Sequence, residues 1–317
     1  MSGEPIKRIK LIYNPSSGRA MASPTFLQDL IAALQARNFI PEVCVINPGL
    51  EIVPILNEAF TRRIRLFVVC GGDGTIEIVS RWMIGKPAVL GIIPAGTQNN
   101  VALSLGIPVE LKAAVDVLRT GQRRKIDVGI ARCANIELPF LEVCSIGLFS
   151  ALFNSADQLQ KGNLASLGDI FSTLTSFPSA QIQLTLDQNP ALSLNGNVVL
   201  VANLNYFGSN YRLTSDDSAF DGLLEVLVFA DFSNLELVGN FLQNRNDERI
   251  RRYRARAIEI QTGPVMPVQV DGIPLGSSPV HISIKKQALS IMTGLPSTGH
   301  NRLGFLHNLN LFRFFTK

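Results

Sequence analysis

The chain has 317 residues, 46% of them hydrophobic and 17% charged, and a net charge of +4. That composition excludes a disordered protein, and the length exceeds what one core ordinarily fills, so two domains are expected. Mean hydropathy is positive, yet no apolar run reaches eighteen residues and the opening MSGEPIKRIK is too polar for a signal peptide, so the expectation is a cytoplasmic protein with no transmembrane helix.

The first third alternates strand and helix patterns. IKRIKLIYN reads as a strand and NPSSGR as the turn after it; Phe26, Leu30, Ile31 and Leu34 recur at helical spacing before a second strand, PEVCVIN. Pro54 to Arg63 predicts a second helix, Leu66 to Cys70 a third strand, and Ile76 to Ile84 a third helix. AVLGIIP is a fourth strand and ends in PAGTQNN. Strand and helix in alternation with right-handed crossovers predict a Rossmann-like, doubly wound parallel sheet, whose ligands sit beyond the strand C-termini. The loops after Tyr13, Cys70 and Ile93 all carry glycine and all fall at that edge.

Among them RLFVVCGGDGT, Arg65 to Thr75, is the most informative. A continuous apolar run suits a strand buried on both faces. Gly71 and Gly72 then leave no side chain between backbone N–H groups and an approaching anion, and Asp73 can hold a metal or its water. Periodic residues resume at Thr75, so phosphates would face a helix N-terminus. A purely structural strand-to-helix turn with a capping aspartate fits the same letters.

After about Asp127 the pattern becomes short and β-rich. QIQLTLD, LSLNGNVVLVANL, LLEVLVFA, AIEIQT and VHISIK are separated by turn residues such as Asn195-Gly196 and Asp271-Gly272, which predicts an antiparallel β-sandwich. One helical interval, roughly Phe149 to Leu174, interrupts it. LSIMTG is expected to return to the first domain, so the expected division is 1–127 with 288–317 for the α/β domain and 128–287 for the sandwich, with a cleft between them as the natural site. The aromatic tail FLHNLNLFRFFTK reads as domain packing, with membrane contact as the alternative.

RNDERIRRYRARA gathers Arg245, Arg249, Arg251, Arg252, Arg254 and Arg256. Such a run suits phosphates, of a nucleotide or of anionic lipid, or else a strand edge kept unpaired by charge. Only Tyr253 could stack on a base there, which argues against nucleic acid. Cys44, Cys70, Cys133 and Cys144 form no CxxC pair, which argues for buried free thiols over zinc or disulfides. His281, His300 and His307 accompany no GxSxG, so serine hydrolase chemistry is set aside.

NPSSGR (Asn14 to Arg19), GGDGT (Gly71 to Thr75), PAGTQNN (Pro94 to Asn100), KIDVG (Lys125 to Gly129), FDGLLEV (Phe220 to Val226) and VDG (Val270 to Gly272) together resemble the diacylglycerol kinase catalytic family, specifically its bacterial lipid kinases. The resemblance spans essentially the whole chain. It implies a nucleotide-binding α/β lobe, a β-sandwich lobe and an active site in the cleft. It further implies ATP contacts from Asn14, Gly71, Gly72, Gly74, Thr75, Gly96, Thr97 and Asn99, and a magnesium and water network holding Asp73 and Asp127. Asp271 is implied as the base for the lipid hydroxyl, and Asp221, with the backbone near Leu223, as a ligand of a structural metal.

The chain departs from the family pattern at several places. Glu77 and Ile78 stand where an asparagine and a glutamate are usual, Asn100 replaces an aspartate, Leu103 an arginine, and Ile273 a glutamate. Glu77 could supply a replacement carboxylate. The resemblance implies an ATP-dependent kinase acting on the hydroxyl of diacylglycerol or a related lipid, in peripheral contact with an anionic membrane surface, with an oligomer left open. The alternatives are a member that binds nucleotide or lipid without turnover, and NAD kinase, which shares GGDGT; PAGTQNN and FDGLLEV favour the lipid side.

Overall fold

A computed structural model describes residues 6–153, 166–207, 211–214, 218–243 and 247–294. The chain divides into two compact units, one running to Ile126 and resuming at Gln287, the other running from Asp127 to Lys286.

The first unit is α/β. Strands β1 (Lys7–Tyr13), β2 (Phe39–Val45), β3 (Leu66–Gly71) and β4 (Val89–Pro94) alternate with helices α1 (Gly18–Ala22), α2 (Phe26–Ala36), α3 (Ile52–Thr61), α4 (Asp73–Met83), α5 (Asn100–Ser104) and α6 (Leu111–Thr120). The strands are parallel in the order β4-β3-β1-β2. Every residue of β3 and of β4 is buried, which is why both read as continuous apolar runs. The chain passes from β1 to β2 on one side and from β2 across to β3 on the other. The strand order therefore reverses between β1 and β3, where a doubly wound sheet opens a crevice. Helix α4 starts at Asp73, two residues before the first periodic position, because Gly72 is already extended and the Thr75 and Ile76 amides both reach the Gly72 carbonyl.

The second unit contains β5 (Gln122–Cys133), which enters from the first, then β6 (Ile136–Phe140), β7 (Val143–Gly147), β8 (Ala180–Leu186), β9 (Leu192–Ala202), β10 (Tyr206–Phe207), β11 (Tyr211–Arg212), β12 (Leu224–Ala230), β13 (Ile250–Ala255), β14 (Ala257–Gly263), β15 (Pro267–Val270) and β16 (Ile273–Ser277). Strand β17 (Val280–Thr293) starts in this unit and ends in the first, where Ile291 pairs in parallel with Leu90. Strand β9 is the branch point. Its first half pairs with β8, and its second half lies between β7 and β12. Alternation along these strands produces two cores. Val199, Val201, Cys144, Val226, Ile258 and Val268 belong to the core enclosed by the strands. Val198, Leu200, Leu227 and Phe229 point the other way, towards Phe149, Leu152, Ile170 and Leu237 on residues 148–153, α7 (Ser166–Ser176) and α8 (Asn234–Gln243).

Asn195-Gly196 is not a turn. It lies inside β9, and a Cβ on Gly196 would stand 2.6 Å from the Phe229 carbonyl oxygen, so the glycine marks the close approach at the branch point. Asp271-Gly272 is a hairpin turn between β15 and β16, with φ of 45° and 80° at the two residues, the left-handed pair that a two-residue turn requires. The helical interval expected over Phe149 to Leu174 is described at its two ends, and the aromatic tail, His300 and His307 lie outside the described residues. No described helix is long and apolar enough to cross a membrane.

All four cysteines are free and buried. Burial pushes the Cys70 thiol up to about 12 and the Cys133 thiol up to about 11, and raises those of Cys44 and Cys144 as well. The thiolate is the reactive form. The folded protein is therefore expected to leave an aromatic disulfide reagent unreacted at about pH 8, where an ordinary thiol is partly ionised, and to release four equivalents in denaturant; rapid native reaction of any thiol would contradict this burial.

Candidate functional site

The expected phosphate-contacting residues of the first unit converge at the C-terminal ends of β1, β3 and β4. Backbone bonds bring the loops together: the Asn14 amide donates to the Cys70 carbonyl at 3.0 Å, that of Ala95 to the Gly71 carbonyl at 2.9 Å, and that of Arg19 to the Ala95 carbonyl at 2.9 Å. Across the switch point, Asn14 Nδ2 donates to Thr75 Oγ1 at 2.9 Å. The same asparagine accepts from the Ser16 amide through Oδ1 at 3.0 Å, so its amide plane is fixed by two loops.

The glycines have distinct reasons. A Cβ on Gly96 would stand 2.5 Å from Gly72 Cα, and one on Gly72 would stand 3.2 Å from Gly96 Cα, so the two loops touch backbone to backbone. A Cβ on Gly71 would meet Thr75 Cβ at 2.9 Å. Gly74 differs: nothing lies within 4 Å of its absent Cβ. No packing within the unit requires glycine there, and the open space above the first turn of α4 is where a phosphate could approach amides that Gly72, lacking a side chain, leaves without a side-chain cap. Asn99, at φ 58°, closes the second loop by accepting from the Gly96 amide and donating to the Gly96 carbonyl, both at 2.9 Å. Thr97 Oγ1 lies 3.4 Å from the position of a Cβ on Gly18, which places it beside α1.

Asp73 is 5% exposed. Its Oδ1 accepts from the Val101 amide at 3.1 Å, tying α4 to α5, while Oδ2 takes no hydrogen bond among the described residues. A carboxylate with one oxygen pinned and one open fits a magnesium ion that keeps waters and phosphate oxygens as its remaining ligands. Glu77, one turn further along α4, is 2% exposed and lies 3.9 Å from the Arg81 guanidinium. Ile78 faces solvent, and Asn100 is buried beside Gln98, to whose Oε1 its Nδ2 donates at 3.3 Å.

In the second unit, two expected residues, Asp127 and Asp271, meet with Asn203 around the turn at 141–143. Asp127 Oδ2 accepts from the Gly222 amide at 2.7 Å, so the FDG turn fixes its carboxylate. Asn203 Nδ2 donates to both the Asp127 carbonyl at 3.0 Å and the Leu141 carbonyl at 2.9 Å. Asp271 completes the arrangement: Oδ2 accepts from the Leu141 amide at 2.7 Å, and Oδ1 from Glu142 and Val143 at 3.0 and 2.9 Å. Three of the four lone-pair positions of this carboxylate are thereby used, with one left on Oδ2. Asn203 gave no signal in the sequence, since a single asparagine at a strand end has no motif. Ile273, directly after the turn, is 37% exposed and adds no charge.

Asp221 does not fit a metal. Its Oδ1 accepts from the Leu223 amide at 2.9 Å and its Oδ2 meets the Arg254 guanidinium, and no three His, Cys, Asp or Glu side chains gather into a metal-binding group among the described residues. The arginine run is likewise spoken for in large part. Arg249 pairs with Asp247 and Glu236 and lies 4.0 Å over the Phe232 ring, and Arg252 donates to the Leu213 carbonyl at 2.6 Å. Arg251 and Arg256 are exposed and make no ion pair among the described residues, and Arg245 lies outside them.

Comparison with known proteins agrees with the fold. Residues 8–131 match the model of the diacylglycerol kinase catalytic domain, and residues 148–293 that of the YegS C-terminal NAD kinase beta sandwich-like domain. A diacylglycerol kinase of Bacillus subtilis (strain 168) is 27% identical, over 84% of this chain and 90% of its own. Another, of Staphylococcus saprophyticus, is 24% identical over 90% and 95%. A solved chain of Bacillus anthracis str. Sterne superposes with a TM-score of 0.72 at 22% identity, over 91% of this chain and 95% of that one. A further structure from that organism, called a diacylglycerol kinase, gives 0.68 at 18% identity, over 91% and 97%. Residues 8–131 belong to the diacylglycerol kinase catalytic-domain family.

The two glycines separate structure from binding. Gly96→Ala is expected to lower stability by about 1–3 kcal/mol, the cost of forcing a methyl against backbone. Gly74→Ala is expected to fold at least as stably, since alanine exceeds glycine in helix interiors by about 1 kcal/mol, yet to lose affinity for a phosphate-bearing ligand. Thermal melts and calorimetry with a nucleotide check both; unchanged affinity in Gly74→Ala would remove α4 from the binding surface.

Proposed function

We propose that this member of the diacylglycerol kinase catalytic-domain family transfers the terminal phosphoryl group of ATP to the hydroxyl of diacylglycerol or a related lipid. The observation that carries the reading is the Asn14–Thr75 bond at the switch point, which ties together glycine loops that leave main-chain amides uncovered, an arrangement of the kind that phosphoryl transfer uses for positioning. Asn14, Gly71, Gly72, Gly74, Thr75, Gly96, Thr97 and Asn99 hold the nucleotide in this reading. Asp73 and Asp127 would hold magnesium, which when bound spreads the charge that develops on the phosphates. Asp73 enters with Oδ2 open, and Asp127 with its carboxylate fixed by Gly222.

Asp271 is proposed to accept the proton of the lipid hydroxyl. Its three backbone hydrogen bonds lock the carboxylate in one orientation and leave one lone pair on Oδ2 for that proton. Arg251 and Arg256 would add peripheral attraction to an anionic bilayer of about 1 kcal/mol each, a transient contact. A second reading, a member that binds nucleotide or lipid without turnover, is favoured by the uncharged Asn100 and Ile273 at places where the family carries carboxylates. NAD kinase is a third, excluded if no labelled NADP forms.

Incubation with labelled ATP, magnesium and a total lipid extract tests the proposal. Labelled lipid should appear, and Asp73→Asn should lower the rate on the order of 10²–10³-fold with little change in melting, because asparagine keeps the acceptor for the Val101 amide. Saturable nucleotide or lipid binding with no turnover on any lipid would favour the second reading. Ile273→Glu should raise turnover if the missing carboxylate limits the rate.

A further inference from the structure

The turn that fixes Asp127 is itself held by an ion pair in the place where the family resemblance implies a metal. Asp221 precedes Gly222, whose amide donates to Asp127 Oδ2 at 2.7 Å. Asp221 Oδ1 accepts from the Leu223 amide at 2.9 Å, and Oδ2 meets Arg254 Nη2. Arg254 Nε also lies 3.4 Å from Glu225 Oε2. The sheet sets this trio: Glu225 on β12 stands directly opposite Arg254 on β13, and the turn carrying Asp221 leads into β12. Burial raises the Glu225 carboxyl, and the Arg254 and Arg252 guanidinium groups pull it back.

A magnesium or calcium ion needs six or more oxygen ligands at short range. Here both oxygens of Asp221 already face N–H donors, so neither is open to an ion as Asp73 Oδ2 is. A guanidinium asks for less. It is permanently charged, its planar fork matches a carboxylate, and it can share its donors between two acids. Attached to a β-strand, it is present at the turn whatever the concentration of free metal.

We infer that Arg254 takes the place of a metal ion at this turn. The tethered cation bridges Asp221 and Glu225, offsets one of their two negative charges, holds the FDG turn closed, and so keeps the Gly222 amide on Asp127. Arg254 is a positioning residue acting through Gly222, 33 residues after the aspartate it pairs with. The inference concerns the second unit alone and stands or falls separately from the kinase reading.

Metal analysis and thermal melts without nucleotide test it. Protein stripped with a chelator, equilibrated with magnesium or calcium and desalted is expected to show the same metal content as Asp221→Asn treated alike, and the wild-type midpoint is expected to be the same in chelator and in metal. Arg254→Gln should lower the midpoint by about 2–4 °C, with magnesium or calcium restoring part of the loss, and Arg254→Lys should fall less. One equivalent of metal that Asp221→Asn removes would overturn the inference, as would an Arg254→Gln midpoint equal to wild type. If Arg254→Gln does not fold, the comparison of wild type with Asp221→Asn decides alone.

Discussion

Two glycine backbones in contact set the geometry of the first unit. Gly72 and Gly96 follow different strands; a Cβ on Gly96 would force the loops apart, and one on Gly72 would crowd Gly96 Cα at 3.2 Å. Their contact brings the Gly71 carbonyl to the Ala95 amide and leaves room for Asn99 to close the second loop on itself in a left-handed conformation. Asn14 then reaches Thr75 from the third loop. The chain thereby builds a surface of main-chain amides at the one place where the strand order reverses, and the charge that faces it comes from Asp73.

The second unit uses a buried carboxylate for the same end. An aspartate in an Asp-Gly hairpin turn ordinarily faces water. Asp271 is 3% exposed instead, and it gathers three consecutive amides of the 141–143 turn. Asn203 holds that turn to the strand bearing Asp127. Two aspartates that are far apart in the chain are thus referenced to the same few backbone atoms. The precision comes from hydrogen bonds to main chain, which has little freedom to relax, and it does not depend on long flexible side chains.

Much of the first unit was legible because its strands are buried on both faces and end abruptly in glycine. The start of α4 was less so: periodicity begins at Thr75, but Gly72 turns the backbone early enough to put Asp73 and Gly74 in the first helical turn. Asn195-Gly196 misled because its letters are those of a turn, while its glycine answers to the Phe229 carbonyl across β9. The arginine run read as a patch since most of the partners that absorb it, Glu236, Asp221 and the Leu213 carbonyl, are supplied by other segments. Asn203 was invisible for a related reason: its meaning lies in two carbonyls that only the folded sheet brings within reach.

Strand β17 has a consequence for how the protein is made. Its end pairs with β4 in the first unit, roughly two hundred residues after Leu90 has been synthesised, a separation that makes the closing contact of that sheet a slow, late event. While the second unit is still emerging from the ribosome, β4 carries an apolar edge with no neighbour on that side, the condition under which strands find wrong partners. Docking of β17 is therefore the step that removes this exposed edge, and a chain cut short within the second unit keeps it.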